Sequence, residues 1–153
     1  MELENARLVY VPFKRIPAGH MFIIFTFTSG EEIAVSPEAD LKEDLKFSLL
    51  RGMGKTYPLC YRVQHPSIFF DRYRLEGRRA EEYMLRLSTQ QLKKLYAAMM
   101  TRAHELRQEQ EWYHTLVNSC VTNTMNHLDD IQAVRRSWIR YGGYILAARK
   151  MVQ

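Results

Sequence analysis

The chain has 153 residues and a mass of 18.1 kDa, the size of one domain with one core spanning residues 1–153. Its residues are 46% hydrophobic and 25% charged, which suits a folded, soluble protein and excludes a disordered chain or a membrane bundle. The formal net charge of +5 permits an anionic partner without selecting one, and two cysteines exclude a disulfide scaffold or a zinc finger.

The chain starts with the acidic stretch Met1 to Asn5, which lacks the basic start and apolar run of a secretory leader. Its longest apolar run, Met21 to Phe25, falls far short of the roughly 20 residues that a membrane span needs. As written, no leader or membrane span is expected. Strands follow: Met21 to Thr28, rich in β-branched and aromatic residues, then Glu31 to Ser36, stopped by Pro37. The Ser29-Gly30 step between them predicts a β-hairpin. Residues 38–56 are polar, with Leu41, Leu45, Leu49 and Leu50 at near-helical spacing, which predicts a short surface helix before Gly52-Met53-Gly54. Three further strands are expected at Leu59 to Gln64, Ile68 to Arg74 and Glu82 to Leu87.

The second half changes period. Ser88 and Gln91 form a capping-box pattern, and Leu92, Leu95, Tyr96, Met99, Ala103 and Leu106 recur at helical intervals to about residue 110. A second helix is expected from Asn118 or Ser119, with Val121, Met125 and Leu128 on one face. Residues 131–150 predict a third, interrupted at Gly142-Gly143.

Cys120 carries the chemistry best. Placed just after an N-cap at Asn118 or Ser119, its sulfur meets unpaired backbone amides and the positive end of the helix dipole. Both favour a thiolate nucleophile, and the same amides suit a developing oxyanion. A small buried cysteine is the competing reading.

A thiolate needs a base, and His20, at the start of the most hydrophobic strand, is the candidate. His127 lies about two helical turns from Cys120, too far for direct proton transfer. His65 precedes Pro66 in a turn, and His104 and His114 are expected on the surface. Ser36 or Glu38, at the end of the following strand, is placed to orient the imidazole, with a strand terminus and a solvated acid as the alternative. Tyr113 and Asn118 are candidate oxyanion donors, although a helix cap explains Asn118 equally well.

Cys60 is expected in a strand of the core, and a Cys60–Cys120 disulfide would disable the nucleophile. The cluster Arg72, Arg74, Arg78 and Arg79 is offset by Glu76, Glu81 and Glu82 and reads as a solvated face. Nothing matches an RNA-binding strand motif, so no nucleic-acid partner is expected. The aromatic and basic tail after Asp130 is compatible with a membrane interface or with a plain C-terminal helix.

Taken in order, the set resembles the extracytoplasmic domain of bacterial lipoprotein intramolecular transacylases. The residues concerned are His20-Met-Phe-Ile-Ile-Phe-Thr-Phe27, Val35-Ser36-Pro37-Glu38-Ala39 and Tyr113 through Asn118-Ser119-Cys120-Val121-Thr122-Asn123. The resemblance spans about residues 18 to 130; Ser119 stands where the family usually has Asn, and Val121 where it has Thr. It implies an α+β, circularly permuted papain-like fold, with an antiparallel sheet, packed helices and the base histidine preceding the cysteine helix. It also implies an extracytoplasmic enzyme that moves an acyl chain from a lipoprotein glycerol ester to an amine through a Cys120 thioester. His20 would be the base, Ser36 or Glu38 its orienting partner, and Asn118, Tyr113 and Ser119 the oxyanion support. No metal or soluble cofactor is implied. The partner would be a lipoprotein or lipid ester, and a membrane surface is a further candidate. A cell-envelope cysteine amidase or peptidase is the alternative activity, and a non-catalytic envelope-binding domain the alternative class.

Overall fold

A computed structural model describes residues 1–16, 18–41 and 46–132. Five strands form one antiparallel sheet: β1 (Leu3–Pro12), β2 (Gly19–Phe27), β3 (Glu32–Ala39), β4 (Leu59–Gln64) and β5 (Glu81–Met84), in the spatial order β4-β3-β2-β1-β5. Among the described residues three α-helices accompany it: α1 (Pro66–Leu75), α2 (Thr89–Gln108) and α3 (Cys120–Asp130). The fold is α+β, as expected.

The central strand β2 is buried on both faces, which is why it reads as a continuous apolar run. Met21, Ile23 and Phe25 point to one side and join Leu95 and Met99 of α2 and Met125 and Leu128 of α3 in the larger core. Phe22 and Ile24 point to the other and pack with Phe69 and Tyr73 of α1. The β2–β3 hairpin forms as predicted, and Gly30 at its turn has φ of 85°, the left-handed region that favours glycine.

Four expectations change. Ile68 to Arg74 is not a strand but the body of α1: the His65 ring accepts from the Ser67 amide, Pro66 occupies the first turn, and Phe69 and Tyr73 share the buried face one helical turn apart. Pro37 does not end β3, which runs on to Ala39. Pairing with β2 finishes at Ile23–Val35, so a missing N–H two residues later breaks no bond on that side, while β4 continues the ladder. In the described part of 38–56 the only helical turn is the 3-10 turn Arg51–Met53, which ends at the extended Gly54. Finally, β1, which no motif announced, fills the sheet between β2 and β5. The expected third helix and the aromatic, basic tail lie outside the described residues. No helix among the described residues is long and apolar enough to cross a membrane.

Candidate active site

Cys120 is the first residue of α3, and Ser119 rather than Asn118 caps the helix. The Ser119 hydroxyl accepts from the Thr122 amide at 3.3 Å, while the Thr122 hydroxyl accepts from the Ser119 amide at 2.7 Å. With the Thr122 amide taken by the cap, the amides of Cys120 and Val121 stay beside the sulfur. Cys120 is 6% exposed, and its thiol lies 3.9 Å from the Gly19 carbonyl at the start of β2. A side chain at Gly19 would meet the Tyr10 ring and the Val11 carbonyl, each at 2.6 Å, so glycine allows β2 to start hard against β1 beside this thiol.

His20 follows on β2. Its Nε2 lies 2.7 Å from the Ser36 hydroxyl, and that hydroxyl donates to Glu38 Oε1 at 3.1 Å. Since the Ser36 proton goes to Glu38, Ser36 accepts the proton of Nε2–H, and the lone pair sits on Nδ1. The two readings of the orienting group thus merge into one chain, His20 to Ser36 to Glu38. Strand alternation explains it: Ser36 and Glu38, two apart on β3, share a face.

Glu38 is held from the far side by two arginines. Arg72 Nη2 of α1 donates to Oε1 at 3.1 Å, and Arg62 Nε of β4 lies 2.9 Å from Oε2, an ion pair without hydrogen-bond alignment. Burial opposes ionisation of Glu38, but His20, Arg72 and Arg62 outweigh it and keep the carboxyl below its ordinary pKa. Burial pushes His20 down to about 4, Glu38 opposes that, and Arg72 and Arg78 reinforce it. Burial pushes the Cys120 thiol up to about 11, against the amides of Met21 and Val121 and the Tyr113 hydroxyl. At neutral pH the resting pair is therefore a thiol and a neutral imidazole.

Cys120 and His20 line one cavity of about 240 Å³, together with Glu38, Arg72, Arg78 and Tyr113. A second cavity of about 200 Å³, mostly apolar, also borders Cys120 and is walled by Met21, Leu49, Leu116 and Val121. Phe13, Phe47, Tyr113 and Cys120 belong to both walls, so the sulfur stands where the two spaces meet.

Tyr113 is held by its amide bond to the Tyr57 carbonyl at 2.8 Å, and its hydroxyl meets both the thiol and the amide of Cys120. Asn118 lines neither cavity. Its amide donates to the Trp112 carbonyl and its oxygen accepts from Asn123, each at 2.9 Å, so it ties the loop to α3. Arg78 departs from the solvated face expected of its cluster, and Arg72, although exposed, reaches from that face to Glu38. Arg78 donates to the Val11 carbonyl at 3.0 Å and lies over the Phe13 and Tyr73 rings, whereas Arg74 stays exposed beside Asp71. For Arg72 the spacing hides this, because its place becomes meaningful only once residues 66–75 are read as a helix.

Among the described residues no cluster of His, Cys, Asp and Glu is arranged to hold a metal ion. Cys60 and Cys120 are both free thiols.

No curated protein and no solved structure matches the chain. A family model does: the Lnb N-terminal periplasmic domain, matched over residues 1–140. That match covers most of the sequence, and the chain therefore belongs to the family of the Lnb N-terminal periplasmic domain, among the lipoprotein intramolecular transacylases, with an extracytoplasmic setting.

Proposed function

We propose that the chain is a cysteine acyltransferase that moves an acyl chain from a lipoprotein glycerol ester to an amine, on a permuted papain-like scaffold. One observation carries this reading: the thiol at the capped start of α3 shares a cavity with an imidazole whose other nitrogen is held by Ser36 and Glu38. The family's association with lipoprotein modification and the apolar cavity beside the sulfur support an acyl chain as the transferred group.

His20 Nδ1 takes the thiol proton as the sulfur attacks the ester carbonyl. The amides of Cys120 and Val121 and the Tyr113 hydroxyl hold the tetrahedral oxyanion. Carbonyl re-formation expels the glycerol oxygen, which takes the proton from His20, and leaves an acyl-thioester on Cys120. An amine then attacks the thioester and gives a proton to His20; the departing sulfur recovers that proton, and an amide is released. Burial disfavours the imidazolium between these steps, while Glu38, reached through Ser36, stabilises it. No step calls on a metal or a soluble cofactor.

Incubating the chain with a diacylated lipopeptide and measuring intact mass tests the reading. A Cys120 acyl-enzyme and an N-acylated lyso product are expected from the unaltered chain, and neither from Cys120→Ala. Undiminished transfer by Cys120→Ala would overturn the proposal. Cleavage of an amide with water as acceptor would make the same residues those of an envelope amidase or peptidase, and an unmodified Cys120 with every substrate would favour a non-catalytic binding domain.

A further inference from the structure

Three segments surround the mouth of the apolar cavity: residues 13–16, 46–56 and 112–118. They form one rim. The Thr115 amide donates to the Gly52 carbonyl at 2.9 Å, and the Thr115 hydroxyl donates to the Leu49 carbonyl at 2.8 Å. Phe47 packs edge-on against Tyr113, and a groove walled by Phe13 to Ile16 on one side and Phe47 to Leu50 on the other joins the remaining pair.

The rim is apolar where a soluble surface is ordinarily polar. Ile16, Leu50, Met53, Trp112, Leu116 and Val117 make up six of the eleven exposed large apolar side chains among the described residues. Leu50, Leu116 and Val117 are 76%, 64% and 71% exposed, too open to be the margin of a core. Five exposed cations, Lys14, Arg15, Lys46, Arg51 and Lys55, are interleaved with them. The three segments contain no Asp or Glu, and Glu111, next to Trp112, is already paired with Arg102 at 2.7 Å. Exposed Leu, Val and Trp among Lys and Arg, without acids, is the chemistry of a surface that sinks its apolar tips below anionic headgroups and leaves its cations among them.

We propose that this rim docks the protein on an anionic phospholipid surface, with the apolar cavity opening toward the lipid. A lipid ester would then reach Cys120 without its acyl chain crossing water. The docking stands by itself; the purpose given to it rests on the acyl-transfer reading.

The experiment is flotation of the full chain with vesicles of phosphatidylglycerol and phosphatidylcholine in equal parts, beside pure phosphatidylcholine. Using Cys120→Ala throughout separates docking from chemistry, because failure of acyl transfer then has no bearing on the result. Binding to the anionic vesicles is expected, weaker on pure phosphatidylcholine and reduced by high salt. The double variant Leu50→Glu, Val117→Glu should lower partitioning about tenfold or more, since it buries two charges where two apolar tips had entered. Neither residue supports the core, and an unchanged circular-dichroism melt shows that the variant folds. In the chain with Cys120 intact, the same pair should leave turnover of a water-soluble short-chain ester unchanged while slowing turnover of a vesicle-borne one. No flotation with anionic vesicles would overturn the proposal. So would flotation that the double variant does not alter, which would put the membrane contact elsewhere on the chain.

Discussion

Cys60 and Cys120 look alike by several simple criteria. Both are free, both border a cavity, and burial pushes each thiol up to about 11. Each also has a histidine on its cavity wall, His104 for Cys60 and His20 for Cys120. The backbone separates them. Cys60 sits within β4, paired with Glu38 of β3, so its peptide groups belong to a ladder. Cys120 opens a helix, where the amides of the first turn have no partner within the helix. The histidines differ as well: His104 is exposed on α2, whereas His20 is fixed through Ser36 to a carboxylate that two arginines hold charged. A raised thiol pKa thus reports burial alone. Amides with no partner inside their helix and an anchored imidazole distinguish a site.

The largest effect that sharpens this comparison is on the thiols themselves. Cys120→Ala should lower acyl transfer by about a thousandfold or more, because the covalent route is lost. Cys60→Ala should leave the rate within about twofold. Comparable losses in the two variants, measured as thioester formation by intact mass, would erase the distinction. The next largest is on the bases. His20→Gln keeps a group able to donate to Ser36 but removes the proton acceptor, and should cost about a hundredfold to ten-thousandfold. His104→Gln should change nothing measurable in the same assay.

Much of this is legible in the sequence, for identifiable reasons. The cap before Cys120, the apolar run of β2 and the Ser36–Glu38 spacing are local signals, each set by chain geometry over a few residues. β1 carries weaker ones. Pro12 and the charged residues at its ends obscure a strand whose Leu8, Val9 and Val11 are fully buried only because β2 and β5 flank it. Ile68 to Arg74 has an aromatic pair that suits a strand, and its helical start depends on His65 acting as a cap, an uncommon role for histidine. That one misreading hid Arg72 from the site, since α1 is what carries it to Glu38. The apolar cavity brings together residues from distant segments, from Tyr10 to Thr122, and no local pattern announces such a meeting.

The anchored histidine also shows itself in the pH dependence of stability. His20, with a side chain 13% exposed, has its pKa lowered from an ordinary 6.5 to about 4, chiefly by burial. Between those values the unfolded chain binds a proton that the folded chain refuses, so stability rises with pH across that window. The contribution is complete above pH 6.5 and is lost as pH falls toward 4, and it amounts to about 3 kcal/mol at most. Urea midpoints of His20→Gln should fall less steeply over this range than those of the unaltered chain. His127, lowered in the same direction by its own burial, supplies part of the slope that remains. An unaltered slope in His20→Gln would show that His20 is not held neutral.

The smallest effect separates stability from chemistry at the feature that distinguishes Cys120. Among the described residues two helices start with a capping box, Ser88 with Gln91 at α2 and Ser119 with Thr122 at α3. Replacing either serine by alanine removes the same bond to a third-position amide, and each should cost about 1 kcal/mol in chemical unfolding. If the cap served only to start a helix, the two variants would behave alike in every assay. Ser119, however, fixes the turn from which the Cys120 and Val121 amides meet the sulfur, and it borders the apolar cavity. Ser119→Ala should therefore slow thioester formation several-fold, while Ser88→Ala at equal loss of stability should not. Equal rates in the two variants would mean that the first turn of α3 holds its amides in place without the serine, and that helix position alone sets Cys120 apart from Cys60.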